Sequence, residues 1–231
     1  NIIEKMTLWS RIANAISSLA RGESLSDVFE KLKTPPERTA AFAIAIIALS
    51  AKMAKADGEV TRNEVTAFKE VFYIPKRNEN QAAKVFNLAR KDVAGFESYA
   101  KKISIMFKND PQALFDLMEG LFHIAVSDGN YHPAENEFLQ KVSEIFEMSE
   151  LNFNRIRARF VPDSPRDPFD ILGVSPDTPL EEIRNRWRKL VRDTHPDQMI
   201  SRGIPEEAIR IATKRLSDIN LAWESINEEF K

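Results

Sequence analysis

Cysteine is absent from all 231 residues, which removes disulfide frameworks, thiol nucleophiles, redox pairs and cysteine-ligated zinc or iron–sulfur sites. Glycine is scarce, at 7 positions, and β-branched alternation is missing, so no strand is expected. Long apolar runs are missing too. The most apolar stretch, Ala40 to Leu49, is about half of the roughly 20 residues that cross a bilayer, and it reads as a buried core helix. The opening residues do not show the charged, apolar and small-residue succession of a signal peptide. Neither sign of charge dominates: 33 basic and 35 acidic residues leave a net charge of −2. No global field therefore draws the chain onto nucleic acid or anionic lipid, and any such contact is local. A thiol-free composition suits a reducing cytosol, so a cytoplasmic location is expected.

What the chain does have is helical periodicity. Apolar residues recur at three and four positions through most of its length, the pattern of amphipathic helices, so the fold class is all-α. Nine helices are expected up to Phe160: near Thr7–Ala20, Leu25–Leu32, Glu37–Ala56, Thr61–Tyr73, Asn80–Ala89, Phe96–Phe107, Gln112–Ser127, Pro133–Phe146 and Glu150–Phe160. Three prolines between Val161 and Pro168 then break the pattern, because each removes a backbone donor and drives the preceding residue out of helical geometry. The expected organisation is an N-terminal amphipathic segment (1–36), a helical domain (37–161) and a smaller helical domain (162–231), joined through 161–168. The joint is too short to be a free tether. In the first segment Leu8, Ile12, Ala15, Ile16 and Leu19 form one stripe, for which packing on the helical domain is favoured over peripheral membrane contact.

The middle domain carries an internal repeat. Met53-Ala-Lys-Ala-Asp-Gly-Glu-Val60 matches Ile124-Ala-Val-Ser-Asp-Gly-Asn-Tyr131, and Glu64 matches Glu135 at the same offset. Each unit is a helix, an Asp-Gly turn and a second helix. The acidic residues have a structural reading: Gly58 and Gly129 suit the left-handed position after a helix, Glu64 closes a capping box, and Pro133 suits a first helical position. A sharper reading pairs Asp57 with Glu64 and Asp128 with Glu135 around a divalent cation, but neither copy has the ligand spacing of an EF-hand, and no metal or other cofactor is expected. The paired units resemble the TerB (tellurite-resistance B) helical domain over about Arg38 to Phe160, which implies a pseudo-symmetric bundle and no defined activity.

The last domain reads as a short helix near Phe169–Leu172, a turn through Gly173 and Pro176, a helix Leu180–Thr194, a loop, and a long helix Pro205–Glu228. Ile183, Trp187, Leu190 and Val191 form one apolar stripe, matched by Ala208, Ala212, Leu216, Ile219, Ala222, Trp223 and Ile226 on the last helix, so a two-helix hairpin can close a small core. The other face of Leu180–Thr194 is basic, with Arg184, Arg188 and Arg192 at four-residue steps and Arg186 and Lys189 alongside. His195-Pro196-Asp197 follows at once, and its proline restricts the backbone so that an imidazole and a carboxylate are displayed beside the basic face.

This order of elements resembles the J-domain of DnaJ co-chaperones along its whole length, with Phe169, Trp187 and Trp223 where that family usually has tyrosine. A TerB-like domain followed by a C-terminal J-domain resembles the DjlA co-chaperone family. The resemblance implies docking on a DnaK-class chaperone and stimulation of its ATP hydrolysis. Arg184, Arg188, Lys189 and Arg192 would steer onto an acidic patch, and Asp197 would accept charge-assisted hydrogen bonds from a partner arginine while His195 and Pro196 hold the geometry. The alternative within this class is an interaction module: the first domain recruits a client, a membrane or a metal ion, and the J-domain only recruits DnaK. An enzyme is not expected, since no nucleophile or metal set accompanies His195 and Asp197. Nor is nucleic-acid binding, since acids outnumber bases from Pro165 onward. The absence of a Gly/Phe-rich segment and of cysteine-based zinc repeats implies a specialised co-chaperone.

Overall fold

A computed structural model describes residues 37–57, 79–91, 95–127, 129–161, 167–202 and 208–230, together with residues 74, 76, 204 and 205 and isolated positions between 11 and 28. Among these residues there is no strand, and no helix is long and apolar enough to cross a membrane.

The larger bundle forms around α1, Glu37–Asp57, which is apolar on every side and so can be stable only when surrounded. Every residue from Ala40 to Ala54 is buried. Around it pack α2 (Glu79–Lys91), α3 (Phe96–Met106), α4 (Pro111–Ala125) and α5 (Pro133–Ile145), while α6 (Glu150–Phe160) packs on α4. Phe42 meets Phe107 edge-on at 6.3 Å, and Phe122 stacks with Phe160 at 6.1 Å. The starts are chemically marked. Asp110 accepts from Ala113 N, Ser149 accepts from Asn152 N, and Pro111 and Pro133 occupy first helical positions, where no donor is lost. Of the first segment, residues 11, 12, 14, 15, 17 and 18 are helical, and Ile12 and Ala15 are buried in the same core, so at these positions the amphipathic stripe packs on protein. The helix expected at Thr61–Tyr73 lies outside the described residues.

The C-terminal hairpin consists of α7 (Pro168–Leu172), α8 (Leu180–Thr194), α9 (Pro196–Ser201) and α10 (Ile209–Glu229). Its core joins Leu172, Ile183, Ile219, Ala222 and Ile226. Trp187 and Trp223 lie 5.1 Å apart and nearly parallel, and Trp187 Nε1 donates to Asn220 Oδ1 at 2.9 Å, which answers the indole's one polar group.

Three expectations need correction here. The segment after His195 is a helix, α9, and not a loop, because Pro196 takes its first position and His195 Nδ1 accepts from Asp197 N as its cap. The last helix is regular only from Ile209, preceded by a turn in which Ala208 N donates to Pro205 O. Finally, Ala208 and Ala212 do not close the hairpin: with Met199, Ile204 and Ile211 they join the core of the larger bundle.

Candidate functional site

The tripeptide His195-Pro196-Asp197 sits at the corner where α8 ends and α9 begins. His195 has φ −57° and ψ 136°, the extended geometry that a following proline imposes, and it ends one helix while capping the next. Its Nδ1 lies 3.3 Å from the Asp197 amide and 3.6 Å from Asp197 Oδ2. With side-chain exposures of 55% and 83%, imidazole and carboxylate both face solvent and are held next to each other. That display is accessible to a macromolecular partner.

The basic face of α8 is less uniform than its spacing implies. Arg184 bonds Glu181 at 3.1 Å and lies 5.8 Å from the Trp223 ring, and Lys189 bonds Asp193 at 2.7 Å. Arg186 turns inward, where its Nε donates to Leu172 O at 3.1 Å. Arg188 and Arg192 are exposed, with no ion pair among the described residues, and they form the open part of this face.

Of the acidic turn residues, Glu135 is buried, and its Oε2 accepts from His132 N at 2.8 Å, completing a capping box. Gly129 takes φ +88°, the left-handed turn that glycine permits. The structural reading therefore accounts for the described part of the second copy. Asp57 is the last residue of α1, and Glu64 and Asp128 lie outside the described residues. Among those residues no group of His, Asp and Glu is arranged to hold a metal.

Sequence reasoning missed a buried ionic network that fastens the hairpin to the bundle. Asp116 and Glu119, both 0% exposed on α4, face Arg215 of α10: Arg215 Nη2 lies 2.6 Å from Asp116 Oδ1, and Arg215 Nε lies 2.6 Å from Glu119 Oε2. Arg159 of α6 bridges Glu119 and Asp218, the latter at 3.2 Å. Arg202, just after α9, reaches Asp116 Oδ2 at 3.5 Å and Asp193 O at 3.2 Å. Three carboxylates thus meet three guanidiniums, a balance without which burial of any of them would be very costly. Burial pushes the Asp116 carboxyl above its usual range, against the pull of Arg215. Burial also opposes the charge on Arg215, but Glu119 and Asp116 outweigh it and hold the guanidinium more firmly protonated than usual. Burial wins at the acid, where the like charge of Glu119 adds to it, and pairing wins at the base, which faces two carboxylates. The signal was present in the chain: Asp116 and Glu119 interrupt an apolar helix three residues apart, and Arg215 falls on the Ile211–Ile219 stripe. A second seam runs nearby, where Arg155 of α6 donates to Gly173 O at 3.2 Å.

Two family models match the chain. The family model described as tellurite resistance protein TerB matches residues 43–158, and the DnaJ domain model matches residues 167–231. The chain is similar to proteins named Co-chaperone protein DjlA. With that of Photobacterium profundum it is 24% identical over 219 residues, covering 84% of this chain and 79% of the relative. With that of Vibrio cholerae it is 23% identical over 229 residues, with the same coverage. The Coxiella burnetii protein is 22% identical over 196 residues, covering 76% and 73%. No solved structure matches significantly.

Proposed function

This chain belongs to the TerB family and ends in a DnaJ domain, and from that premise we propose that it is a co-chaperone that docks on a DnaK-class chaperone and stimulates its ATP hydrolysis. The observation that carries the reading is the exposed His195-Pro196-Asp197 corner at the end of a basic helix. The chemistry of hydrolysis belongs to the partner. This chain supplies orientation: Arg188 and Arg192, with Arg184 and Lys189 flanking, attract an acidic surface and set the angle of approach. Asp197 accepts charge-assisted hydrogen bonds from a partner arginine, and His195 fixes the first turn of α9 through its bond to the Asp197 amide.

Steady-state ATP hydrolysis by DnaK with and without the full chain tests the reading. Removing one member of a buried interfacial charge pair costs roughly 2 to 5 kcal/mol. Asp197→Asn and His195→Gln should therefore abolish stimulation while circular dichroism stays as in the parent and the melting curve shifts by no more than the loss of the His195 cap, about 0.5–2 kcal/mol. Normal stimulation by either folded variant would sink the assignment.

A further inference from the structure

We propose that the cleft between the larger bundle and the C-terminal hairpin is a binding site for a phosphate group, held between Arg155 of α6 and Arg186 of α8. The cleft has a volume of about 240 Å³ and is lined by five cationic side chains, Arg155, Arg159, Arg186, Lys189 and Arg215, against a single carboxylate, Asp193. Three of the five are answered: Lys189 by Asp193, and Arg159 and Arg215 by the buried acids. Arg155 and Arg186 are not. Neither has a carboxylate within ion-pair distance among the described residues, and their contacts are to Gly173 O and Asn152 Oδ1 and to Leu172 O respectively.

Leu172 and Gly173 are consecutive, so the two guanidiniums, one from each domain, are brought side by side. Their proximity shows in Arg155, whose guanidinium is held below its ordinary range by burial first and by Arg186 second, with Asp170 acting the other way. Capping two carbonyls explains their placement but leaves most of the donors unused. Arg186 employs only Nε, so both of its terminal amino groups are free to point at a ligand. Arg159 lines the same cleft and adds positive charge to it, with its side chain 6% exposed. Two positive charges without an ion-pair partner match a phosphate group, which carries about −1.5 to −2 at neutral pH. The apolar side chains of Phe115 and Leu190 in the same cleft lower the local dielectric and strengthen the attraction. A phosphate bound there bridges the two domains.

Calorimetric titration of the full chain with inorganic phosphate tests this, with sodium acetate as a carboxylate arm and sodium chloride at matched ionic strength as control. Phosphate should bind saturably and protect Arg155 and Arg186 from arginine-selective modification read by mass spectrometry. Arg155→Gln with Arg186→Gln should weaken binding at least about tenfold, the scale of one lost charge-assisted hydrogen bond. If that variant fails to fold, Arg155→Lys with Arg186→Lys decides: saturable but weaker binding supports the site, and unchanged binding overturns it. A chloride response equal to that of phosphate, tighter binding of acetate, or protection confined to other arginines also overturns it.

Discussion

Arg215 Nη2 and Asp116 Oδ1 lie 2.6 Å apart across 99 residues of chain, both side chains buried and each from a different domain. Because α10 also carries Ile219, Ala222 and Ile226 of the hairpin core, this contact ties the orientation of the J-domain to the TerB-like bundle through a single rigid helix.

The first prediction concerns that tie. Arg215→Met leaves Asp116 and Glu119 buried without their main counter-charge, and the loss of one partner from a buried pair costs about 3–5 kcal/mol. Urea denaturation of the full chain should show a loss of this size. A change below about 1 kcal/mol, the scale of an exposed pair, would mean that the network does not bear on stability.

Asp116→Asn tests the pH dependence of the same network. Burial raises the folded-state carboxyl above its ordinary value of 3.8, so the folded chain binds a proton more readily than the unfolded chain. The contribution of this group to stability is therefore greatest at low pH and declines as pH rises from 3.8 through the raised folded value. Asparagine, neutral throughout, relieves the buried negative charge but gives up its pairing with Arg215 and Arg202, so whatever its effect at neutral pH, it should compare less favourably with the parent as pH falls through that window. Melting curves between about pH 4 and pH 7 check this; an advantage that grows on acidification would contradict the sign.

Gly173 closes α7 with φ +68°, and a Cβ there would lie 2.5 Å from the Arg155 guanidinium carbon. Gly173→Ala thus has two costs: about 1–2 kcal/mol for the left-handed backbone, and displacement of Arg155 from the domain seam. The melting temperature should fall by several degrees. Pairing it with Arg155→Ala in a double-mutant cycle should show coupling, whereas additive losses would assign the whole effect to the backbone.

On the basic helix, Arg188→Gln and Arg192→Gln should weaken DnaK binding more than Arg184→Gln does. Arg184 must leave Glu181 and the Trp223 face before it can serve a partner, while Arg188 and Arg192 are open. Surface plasmon resonance at low and at physiological salt should show the differences narrowing as screening shortens to about 8 Å. Equal losses at all three positions would show that net charge alone counts.

How much of this was legible in the sequence depended on the range of the interactions involved. Helix starts were readable to within a residue because their causes are local: those expected at Gln112, Pro133 and Glu150 fall at Pro111, Pro133 and Glu150. The corner at His195 was readable for the same reason, although the helix that follows Pro196 was not, since a six-residue helix has too few turns to show a period. The ionic seam was not foreseen. Asp116, Arg159 and Arg215 each look like ordinary polar residues until the fold brings together positions about forty to a hundred apart. A periodic stripe tells which face is buried but not which neighbour buries it, and Ala208 and Ala212 pack in the larger core, not in the hairpin.

The last helix and the turn before it divide their length between two interiors: Ala208, Ile211 and Ala212 belong to the larger one, Ile219, Ala222 and Ile226 to the smaller. The hairpin is therefore not a self-contained module. A replacement hairpin would have to reproduce one helix's register against two cores at once, along with the charges of Arg215 and Asp218. Cutting at the proline-rich joint would strip an apolar, arginine-bearing face from one fragment and bare Asp116 and Glu119 on the other, so aggregation is the first property such a dissection would change.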